Sequence, residues 1–424
     1  MLFRAGSSRH PALVLIGVAL LLDALALGMV RPVLPGLVRT LSAEDAVTAA
    51  RLFGLAETGW ALIQCLVAPF LGVLSDRTGR RPVILLSNLA LAFAYVLMAA
   101  APGVTLLLAG RVLSGVAVGT FCAAGAAIAD LSPPGTRAAG FGVLGAAIGV
   151  GFGLGPMLGG VLGGIDPRLP IWVAAGLVLA NVGWAFLVVP ETLPPGRRRP
   201  ISWRNAHPLG ALRLLCGRPG LSRLSVIALI AFIALEVMPV AFVLFAQHRF
   251  GWPPAAVGLT LGSVGIGIGL VQAGLVSPAI RRFGERGALS AGLAAGAAGL
   301  AALGLAPGPL WIVACVPVIA LWGIFVPTVQ SLMTRHVSET EQGLLQGALG
   351  GLHHLSKLIA PILFTTLFAA SIAPGQPASL AGAPFLLAAA MVLVALVLAR
   401  FALAPRGGAD QPALSGPDLT GLGR

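Results

Sequence analysis

The sequence predicts an all-α protein that crosses a membrane twelve times, as two six-helix halves. Of its 424 residues 57% are hydrophobic and only 10% are charged, and the mean hydropathy is +0.96. Twelve separate apolar stretches are long enough to cross a hydrocarbon core of ~30 Å, which takes about 20 residues of helix. A basic turn that follows the second stretch recurs after the eighth, about half a chain later.

The first stretch follows Arg4 and Arg9 and in this respect resembles a signal peptide. It is too long for one, and it ends in Pro-Gly rather than at a small-residue cleavage site. We therefore count it as the first span. The predicted spans are residues 12–35, 52–74, 82–101, 105–130, 138–162, 170–189, 223–246, 256–279, 288–306, 309–333, 343–371 and 379–402.

Arginines are unevenly distributed among the connections between spans. Twenty arginines fall on one side of the predicted membrane and four on the other. Because cytoplasmic segments carry the excess of Lys and Arg, both termini are expected in the cytoplasm. The three remaining basic residues, Arg31, Arg111 and Lys357, lie inside spans.

The one sizeable connection runs from Glu191 to Arg223 and contains seven arginines. It divides the chain into a six-helix bundle (1–190), a cytoplasmic linker (191–222), a second six-helix bundle (223–403) and a cytoplasmic tail (404–424). Two six-span halves of this kind are typical of secondary transporters, which bind their substrates near the membrane midplane.

Several classes of protein are excluded by what the sequence lacks. A formal charge of +13 would suggest a nucleic-acid partner in a soluble protein, but no polar domain exists to carry a binding surface. The four cysteines show no metal-ligand spacing, and we expect no metal site and no cofactor. A Walker loop, a zinc-binding His-Glu-x-x-His and a nucleophile elbow are all missing, so neither an ATP-driven pump nor an enzyme is expected.

A charged turn follows the second span. Gly79 permits a tight turn without a clash from Cβ, and the arginines hold the turn at the inner membrane face. The run resembles motif A of the major facilitator superfamily, and the alternative is a basic turn that serves topology alone. Its residues are Gly72, Asp76, Arg77, Gly79, Arg80 and Arg81.

Two glycine-rich segments strengthen that resemblance. Arg111, Gly115 and Gly119 in the fourth span are similar to motif B of the superfamily. Small residues four apart let helices approach closely and proline bends a span, so generic packing is the alternative for the second segment. That segment, in the fifth span, is similar to the antiporter motif C and contains Gly151, Gly155, Pro156, Gly159 and Gly160.

Over nearly its whole length the chain is similar to tetracycline efflux proteins. The similarity rests on Asp23 with Pro32 and Pro35, Ile128-Ala-Asp130, His248-Arg249-Phe250-x-Trp252, Gly284-Glu285-Arg286 and Glu341-Gln-Gly343-x-x-Gln346-Gly347. It implies the major facilitator fold, a bacterial inner membrane location, a functional monomer, and export of a drug–divalent cation complex driven by the proton gradient. The implied functional positions are Asp23, Gln64, Asp76, Arg80, Arg111, Asp130 and Gln272.

Three departures from that family weaken the case for tetracycline itself. Ala94 and Gly296 stand where tetracycline pumps have aspartates in spans three and nine, and Ile268 stands where they have a histidine in span eight. An exporter of another drug, a metabolite or a siderophore fits equally well. An importer of the superfamily shares most motifs, although motif C argues against it, and a channel is disfavoured by the double repeat.

Two carboxylates are placed centrally in spans, where each costs about 2.5–3.5 kcal/mol on insertion scales. Asp23 lies in span one, and burial favours the neutral form that a proton carrier needs. The alternative is a structural partner for Arg31 or Arg111. Glu236 in span seven corresponds to Asp23 in the repeat, and we expect it to couple protons or bind a cation.

Span eleven holds His353, His354 and Lys357 within about one turn. A histidine titrates near neutrality, so a proton relay with Glu236 is one interpretation. The other is that a histidine faces the inner vestibule while Lys357 neutralises an acid. Glu57 in span two is interpreted as a solvated helix end at the outer mouth.

The predicted mechanism is alternating access around a cavity between the halves. By resemblance, Arg80 and Asp130 form part of an ion-pair latch that holds the outward-open state. Four aromatic residues are candidates for stacking on a planar drug, with lipid or helix packing as the alternative: Trp60, Phe121, Phe242 and Trp322.

Overall fold

The computed structural model describes residues 11–132, 137–198, 214–338 and 341–402. These ranges contain helices and no strand, and twelve helices in them are long and apolar enough to cross a membrane. Residues 199–213 of the predicted linker, the predicted tail 404–424, and Arg4 and Arg9 lie outside the described ranges. The twelve helices are α1 (Pro11–Val30), α2 (Ala46–Thr78), α3 (Arg80–Ala99), α4 (Val104–Leu131), α5 (Gly140–Gly163), α6 (Leu169–Leu187), α7 (Gly220–Phe250), α8 (Pro254–Gly274), α9 (Val276–Gly304), α10 (Pro309–Thr334), α11 (Leu344–Ser371) and α12 (Ala378–Phe401).

All twelve predicted spans are confirmed, but several of their limits are wrong, most clearly in the first and ninth spans. The first span was expected to reach residue 35, but α1 ends at Val30 and a separate short helix occupies Leu34–Ser42. Pro32 explains the break, because proline lacks an amide donor and disfavours helical geometry in the residue before it. The ninth span was expected from 288, whereas helix begins at Val276 and is interrupted at Gly284.

Glycines with positive φ make the same turn in both halves. Gly79 (φ 110, ψ 166) separates α2 from α3, and Gly284 (φ 67, ψ 170) interrupts α9 in the second copy of the basic turn. A side chain would be strained at either φ value. The two matching turns support the division into related halves that the sequence repeat predicts.

Three helices are broken in their middles. A 3-10 segment, Ser114–Ala117, interrupts α4, and another, Trp322–Ile324, interrupts its counterpart α10. Helix α7 divides at Glu236 into Pro219–Leu235 and Val237–Phe250. Because breaks free backbone groups from the helical ladder, they are tolerated at membrane depth only where protein or a cavity surrounds them.

The halves α1–α6 and α7–α12 meet through two helix pairs, α2 with α11 and α5 with α8. In the second pair Gly160 packs on Gly258, and further along the same stripe Gly153 packs on Gly265. In the first pair Gly54, near the start of α2, packs on Thr365, near the end of α11. The contacts at Gly160 and Gly54 lie toward the end of the bundle away from the turns at Gly79 and Gly284, and the contact of Gly153 with Gly265 lies near the middle of both helices.

We call the end with those two turns the arginine end, and here the same helix pairs separate. Gly149 of α5 and Gly269 of α8 continue the same row of glycines toward the arginine end. A Cβ atom added to either of them would have no other heavy atom within 4 Å. The same holds for Gly72 of α2 and Gly347 of α11. The molecule is therefore closed at the opposite end and open at the arginine end.

Candidate functional site

A bidentate ion pair lies inside the first half, between α2 and α4. Arg111 donates from Nε to Glu57 Oε1 at 2.6 Å and from Nη2 to Glu57 Oε2 at 2.8 Å. The Trp60 ring covers the guanidinium at 4.3 Å, a cation–π contact. Glu57 is only 8% exposed. The interpretation of Glu57 as a solvated helix end is therefore wrong, and the membrane-buried Arg111 is already paired.

Glu236 lies where α7 breaks and faces α11. His353 Nε2 is 3.8 Å from Glu236 Oε1 and its ring packs edge-on against Phe232. Lys357 of α11 and Arg31, in the turn after α1, are both close enough to act on the Glu236 charge. The predicted neighbourhood of Glu236 and the span-eleven cluster is thus present.

Arg31 also acts electrostatically on Glu57 and Arg111, so both buried acids share one charged centre. Its guanidinium lies 5.2 Å from the Phe152 ring of α5. We call Arg31, Glu57, Arg111, Glu236 and Lys357 the central charge cluster. It contains three cations against two carboxylates, and it combines residues from both halves.

Asp23 lies outside the central charge cluster. Asn181 Nδ2 of α6 donates to Asp23 Oδ1 at 2.8 Å. Turned so that its amide nitrogen faces the carboxylate, Asn88 of α3 donates to Asp23 Oδ2 at 2.8 Å, and Thr120 adds a further hydrogen bond. Asp23 is 0% exposed. It forms an ion pair with neither Arg31 nor Arg111. The face of α1 that carries Ala24 and Gly28 packs against α5, so Asp23 lies on a different face, toward α3, α4 and α6.

Glu236 and Asp23 also differ in their local backbone. Asp23 lies within the continuous α1, while Glu236 lies at a helix break, as Arg31 does in the first half. The expected correspondence of Glu236 with Asp23 in the repeat stays a prediction.

The remaining predicted polar residues are spread over both halves. Gln64 is buried in α2 and Gln272 is exposed in α8, while His354 is half-buried one residue from His353. Two of the predicted stacking residues are core residues: Phe242 is edge-on to Trp252, and Trp322 packs against Gly296 of α9. Phe121 is partly buried between two hydrophobic clusters.

The motif A turn is a compact polar assembly. Arg80 binds Asp76 Oδ1 at 2.6 Å and Ser75 Oγ at 3.1 Å, and its Nε binds Asp130 Oδ2 at 3.0 Å. Glu191, which sequence reasoning treated only as the start of the linker, accepts the backbone N–H groups of Arg80 at 2.9 Å and Arg81. Its carboxylate thus caps the positive N-terminus of α3.

The neighbouring motif A residues take different positions. Gly79 packs directly on Glu191, which leaves no room there for a side chain. Arg81 donates to the Ala185 and Phe186 carbonyls at the end of α6, whereas Arg77 is exposed. Only part of the motif therefore interacts with the rest of the first half.

The second half carries the equivalent ion pair with its charges exchanged. Glu285, directly after Gly284, accepts from Arg335 at 2.8 Å and from Ser331 at 2.8 Å, both at the end of α10. In the first half the base follows the glycine and the acid ends α4. A second pair, Arg218 with Glu341 at 2.8 Å, joins the start of α7 to that of α11. The Ser338 backbone N–H and Arg218 lower the pKa of Glu341 to about 2.

The motif C residues pack α5 between α1 and α8. Gly151, Gly155 and Gly159 face α1, where an added Cβ on Gly155 would lie 2.6 Å from the Leu25 carbonyl oxygen. Pro156 contacts Gly28 of α1, and Gly160 meets α8 at Pro254 and Gly258. These are close backbone approaches of the kind that small residues permit, and those to α8 join the two halves.

A helical bundle of two related halves, closed at one end, open at the other and with charged residues between them, defines the secondary-transporter class. The profile of the Major Facilitator Superfamily matches residues 16–361 and 224–419. This chain belongs to that superfamily and, within it, to the group of the tetracycline resistance proteins. It is a multi-pass membrane protein.

Two curated relatives carry the narrower assignment. The class C tetracycline resistance protein of Escherichia coli is 36% identical over 389 residues, covering 92% of this chain and 96% of the relative. The class G protein of Vibrio anguillarum is 36% identical over 371 residues, covering 86% of this chain and 91% of the relative.

Solved structures show the same fold. The human organic anion transporter TETRAN matches 93% of this chain and 100% of its own, with a TM-score of 0.70 and 23% identity. A bacterial homologue of the human lysosomal transporter Spinster, in an inward-facing conformation, matches 94% of this chain and 98% of its own, with a TM-score of 0.73 and 17% identity.

Proposed function

We propose that this chain exports tetracycline or a similar drug in exchange for protons, by alternating access between its two halves. The observation that carries the proposal is the central charge cluster, which joins residues of both halves in a molecule open at one end. Buried ionisable groups at such a position mark substrate and proton pathways. The 36% identity to tetracycline resistance proteins supports drugs as the substrate class.

The arginine end is proposed to face the cytoplasm of a bacterial cell, with both termini inside and the chain in the inner membrane. The arginine excess supports this orientation, under which the structure is the inward-open state. We propose residues 1–190 and 223–403 as the two moving bundles, joined by the linker 191–222, in a functional monomer.

Proton coupling is proposed to occur at Glu236. Deprotonated, it balances part of the charge of Lys357 and Arg31, and it can pair with a cationic group of the substrate. A proton arriving from outside removes that negative charge, so substrate affinity differs between the two states, which is the thermodynamic basis of coupling. The predicted role of Asp23 as a proton carrier becomes the second hypothesis, because its amide cage separates it from the cluster.

The motif A assembly is proposed to act as part of a gate. Arg80 pairs with Asp76 and Asp130 inside one half while the arginine end is open, so this pair alone does not join the halves. Side-chain exposure of Asp76 is 49%. The latch that holds the outward-open state is therefore proposed to need a partner from the second half.

A second candidate is an exporter of another drug, metabolite or siderophore. The packing at Gly296 favours it, because Trp322 fills the space in which a side chain at that position would lie. Any substrate that needs an acidic group there would not be bound.

The test of the function is drug susceptibility of a pump-deficient bacterial host that expresses the chain, with a tetracycline panel included. Resistance to tetracyclines supports the first candidate, and resistance to another compound alone supports the second. Everted vesicles should release protons when the drug is added. Vesicles in which neither drug nor proton moves would contradict both candidates.

Alternating access itself predicts a large effect of Gly258→Ala. An added methyl group would collide with the Pro156 carbonyl oxygen and the Gly160 backbone of α5, neither of which can move alone. We expect drug transport to fall at least tenfold, measured as uptake into everted vesicles. Gly176→Ala in α6 is the matched control, since its Cβ would meet nothing within 4 Å. Equal transport by both variants would contradict a role of the α5–α8 contact.

A further inference from the structure

The two matching turns of the arginine end differ in how their charges are balanced. At the Gly79 turn, the ion pairs of Arg80 and the hydrogen bonds of Glu191 hold arginines and acids together within the first half. This turn has as many acids as arginines and therefore no net charge. Its charged residues are Arg77, Arg80 and Arg81 with Asp76, Asp130 and Glu191.

The turn at Gly284 has an excess of positive charge. Its acid, Glu285, has a side chain that is only 13% exposed and is paired with Arg335 at 2.8 Å. That pair cancels, so three positive charges remain without a balancing acid from the described part of the chain. They belong to three exposed arginines that form no ion pair within 4.0 Å among the described residues: Arg281, Arg282 and Arg286.

The sequences around the two turns account for the difference. Arg281 stands in the second turn where Asp76 stands in the first. Glu191, the acid that caps α3, follows soon after α6, whereas the eight residues after α12 contain no acid. A Cβ atom added to Gly79 would collide with Glu191, but at Gly284 it would meet no described heavy atom within 4 Å. The carboxylate that covers the first turn therefore has no equivalent among the described residues of the second.

The second turn also lies close to a membrane surface, since the apolar part of α9 begins at Ala288. Phe283 is 58% exposed, and its ring centroid is 5.7 Å from the Arg282 guanidinium. An apolar ring beside arginines suits the boundary between acyl chains and headgroups, where the ring contacts the chains and the cations face the phosphates. The charge and the exposed ring thus point to the same kind of ligand.

From this arrangement we propose that the turn at Gly284 binds an anionic phospholipid of the adjacent leaflet. Its phosphate pairs with Arg281, Arg282 and Arg286, and its acyl chains contact Phe283. A lipid accounts for the exposed ring, which a free phosphate does not. The site belongs to the second half alone and lies apart from the central charge cluster, so the proposal holds whatever substrate the chain exports.

The experiment counts lipids bound to the purified full-length protein by native mass spectrometry. The protein, in a neutral detergent, is titrated with phosphatidylglycerol, and with phosphatidylcholine as a phospholipid without net charge. The test variant is the glutamine pair Arg281→Gln with Arg282→Gln. The matched control pair, Arg39→Gln with Arg51→Gln, removes two exposed arginines at the opposite end of the bundle. A lysine pair, Arg281→Lys with Arg282→Lys, keeps the charges.

We expect the first phosphatidylglycerol to bind at least tenfold more tightly than the first phosphatidylcholine. Each arginine near a membrane surface contributes about fivefold to the binding of anionic lipid, so the glutamine pair should lose at least tenfold in affinity for phosphatidylglycerol. Phe283→Ser should also weaken binding, because the ring no longer contacts the acyl chains. The control pair and the lysine pair should bind phosphatidylglycerol like the original protein.

Equal affinities for the two lipids, or equal losses in the glutamine pair and the control pair, would overturn the proposal. A lysine pair that binds as weakly as the glutamine pair would also contradict it, since charge would then not explain the affinity. Displacement of the lipid by an equal concentration of inorganic phosphate, or full affinity of Phe283→Ser, would assign the arginines to a free anion instead.

Discussion

Asp23 and Glu236 are two membrane-buried carboxylates with opposite surroundings. Asp23 accepts hydrogen bonds from amides of α3 and α6, and it forms no ion pair with the basic residues that the structure describes. Glu236 lies at a helix break beside His353 and within reach of Lys357 and Arg31. Asp23 is therefore hydrogen-bonded by neutral donors, whereas Glu236 is surrounded by ionisable groups that can change charge or bind a ligand.

The difference teaches that burial alone does not make a carboxylate a transport residue. A cage of neutral donors stabilises one charge state and holds three helices together. A carboxylate beside other ionisable groups, such as Glu236, can exchange a proton for a ligand. Glu57 is intermediate, since it is buried like Asp23 but paired with a cation like Glu236.

The largest effect should follow from Glu236→Gln, which keeps size and polarity but removes the titratable charge. We expect drug-induced proton release by everted vesicles to fall at least tenfold, to the background of empty vesicles. Glu44→Gln, at an exposed acid before α2, should leave release unchanged. Normal proton release by Glu236→Gln would assign coupling to a different carboxylate.

Glu57→Gln should mainly affect stability. It leaves Arg111 as an unpaired charge, 2% exposed, and breaking a buried ion pair by removing one partner costs about 3–5 kcal/mol. The melting temperature of the purified protein should fall accordingly. The double variant Glu57→Gln with Arg111→Gln should recover most of the loss, and the pairing is refuted if it does not.

Asp23→Asn should have the smallest effect of the three. The new amide would direct N–H groups at the Asn181 or Asn88 donors and leave a buried group unsatisfied, at about 1–3 kcal/mol. We expect a lower melting temperature but unchanged transport per folded molecule. A folded variant that has lost proton release would instead support the sequence-based hypothesis and make Asp23 the coupling residue.

Much of the fold was predictable from the sequence because span length and hydropathy follow from the thickness of the membrane. The twelve spans, the matching turns at Gly79 and Gly284, and the contact of Arg80 with Asp130 were all within reach of such reasoning. The backbone conformation of a glycine-containing turn is a local property, so its repeat in the sequence predicted its repeat in the structure.

The candidate site was predicted less well, because hydropathy fixes the length of a helix but not its rotation about its axis. Asp23 lies at the expected depth yet faces α3, α4 and α6. A second span that starts at residue 52 predicts Glu57 near a membrane surface. The helix begins at Ala46, which puts Glu57 about three turns inside it.

The partners of these acids lie far away in the sequence, and the residues next to each acid do not predict them. Asn88, Thr120 and Asn181 belong to three different helices, and only tertiary packing brings them to Asp23. A possible signal was the presence of polar amides inside apolar spans, which is costly unless they find partners. Glu191 is similar, since a cap for α3 supplied from beyond α6 has no signature in the sequence of α3.

The glycine contacts between α5 and α8 extend from the middle of α5 at Gly153 to Gly160, and they can act as a pivot for the part of α5 that reaches the arginine end. From Gly153 to the start of α5 at Gly140 the helix extends about 20 Å, at 1.5 Å per residue. A tilt of about 10° at the pivot would move that far end by about 3.5 Å over such a length. Small changes of side-chain volume near Gly160 and Gly258 are therefore magnified at the arginine end, where they would alter the width of the opening.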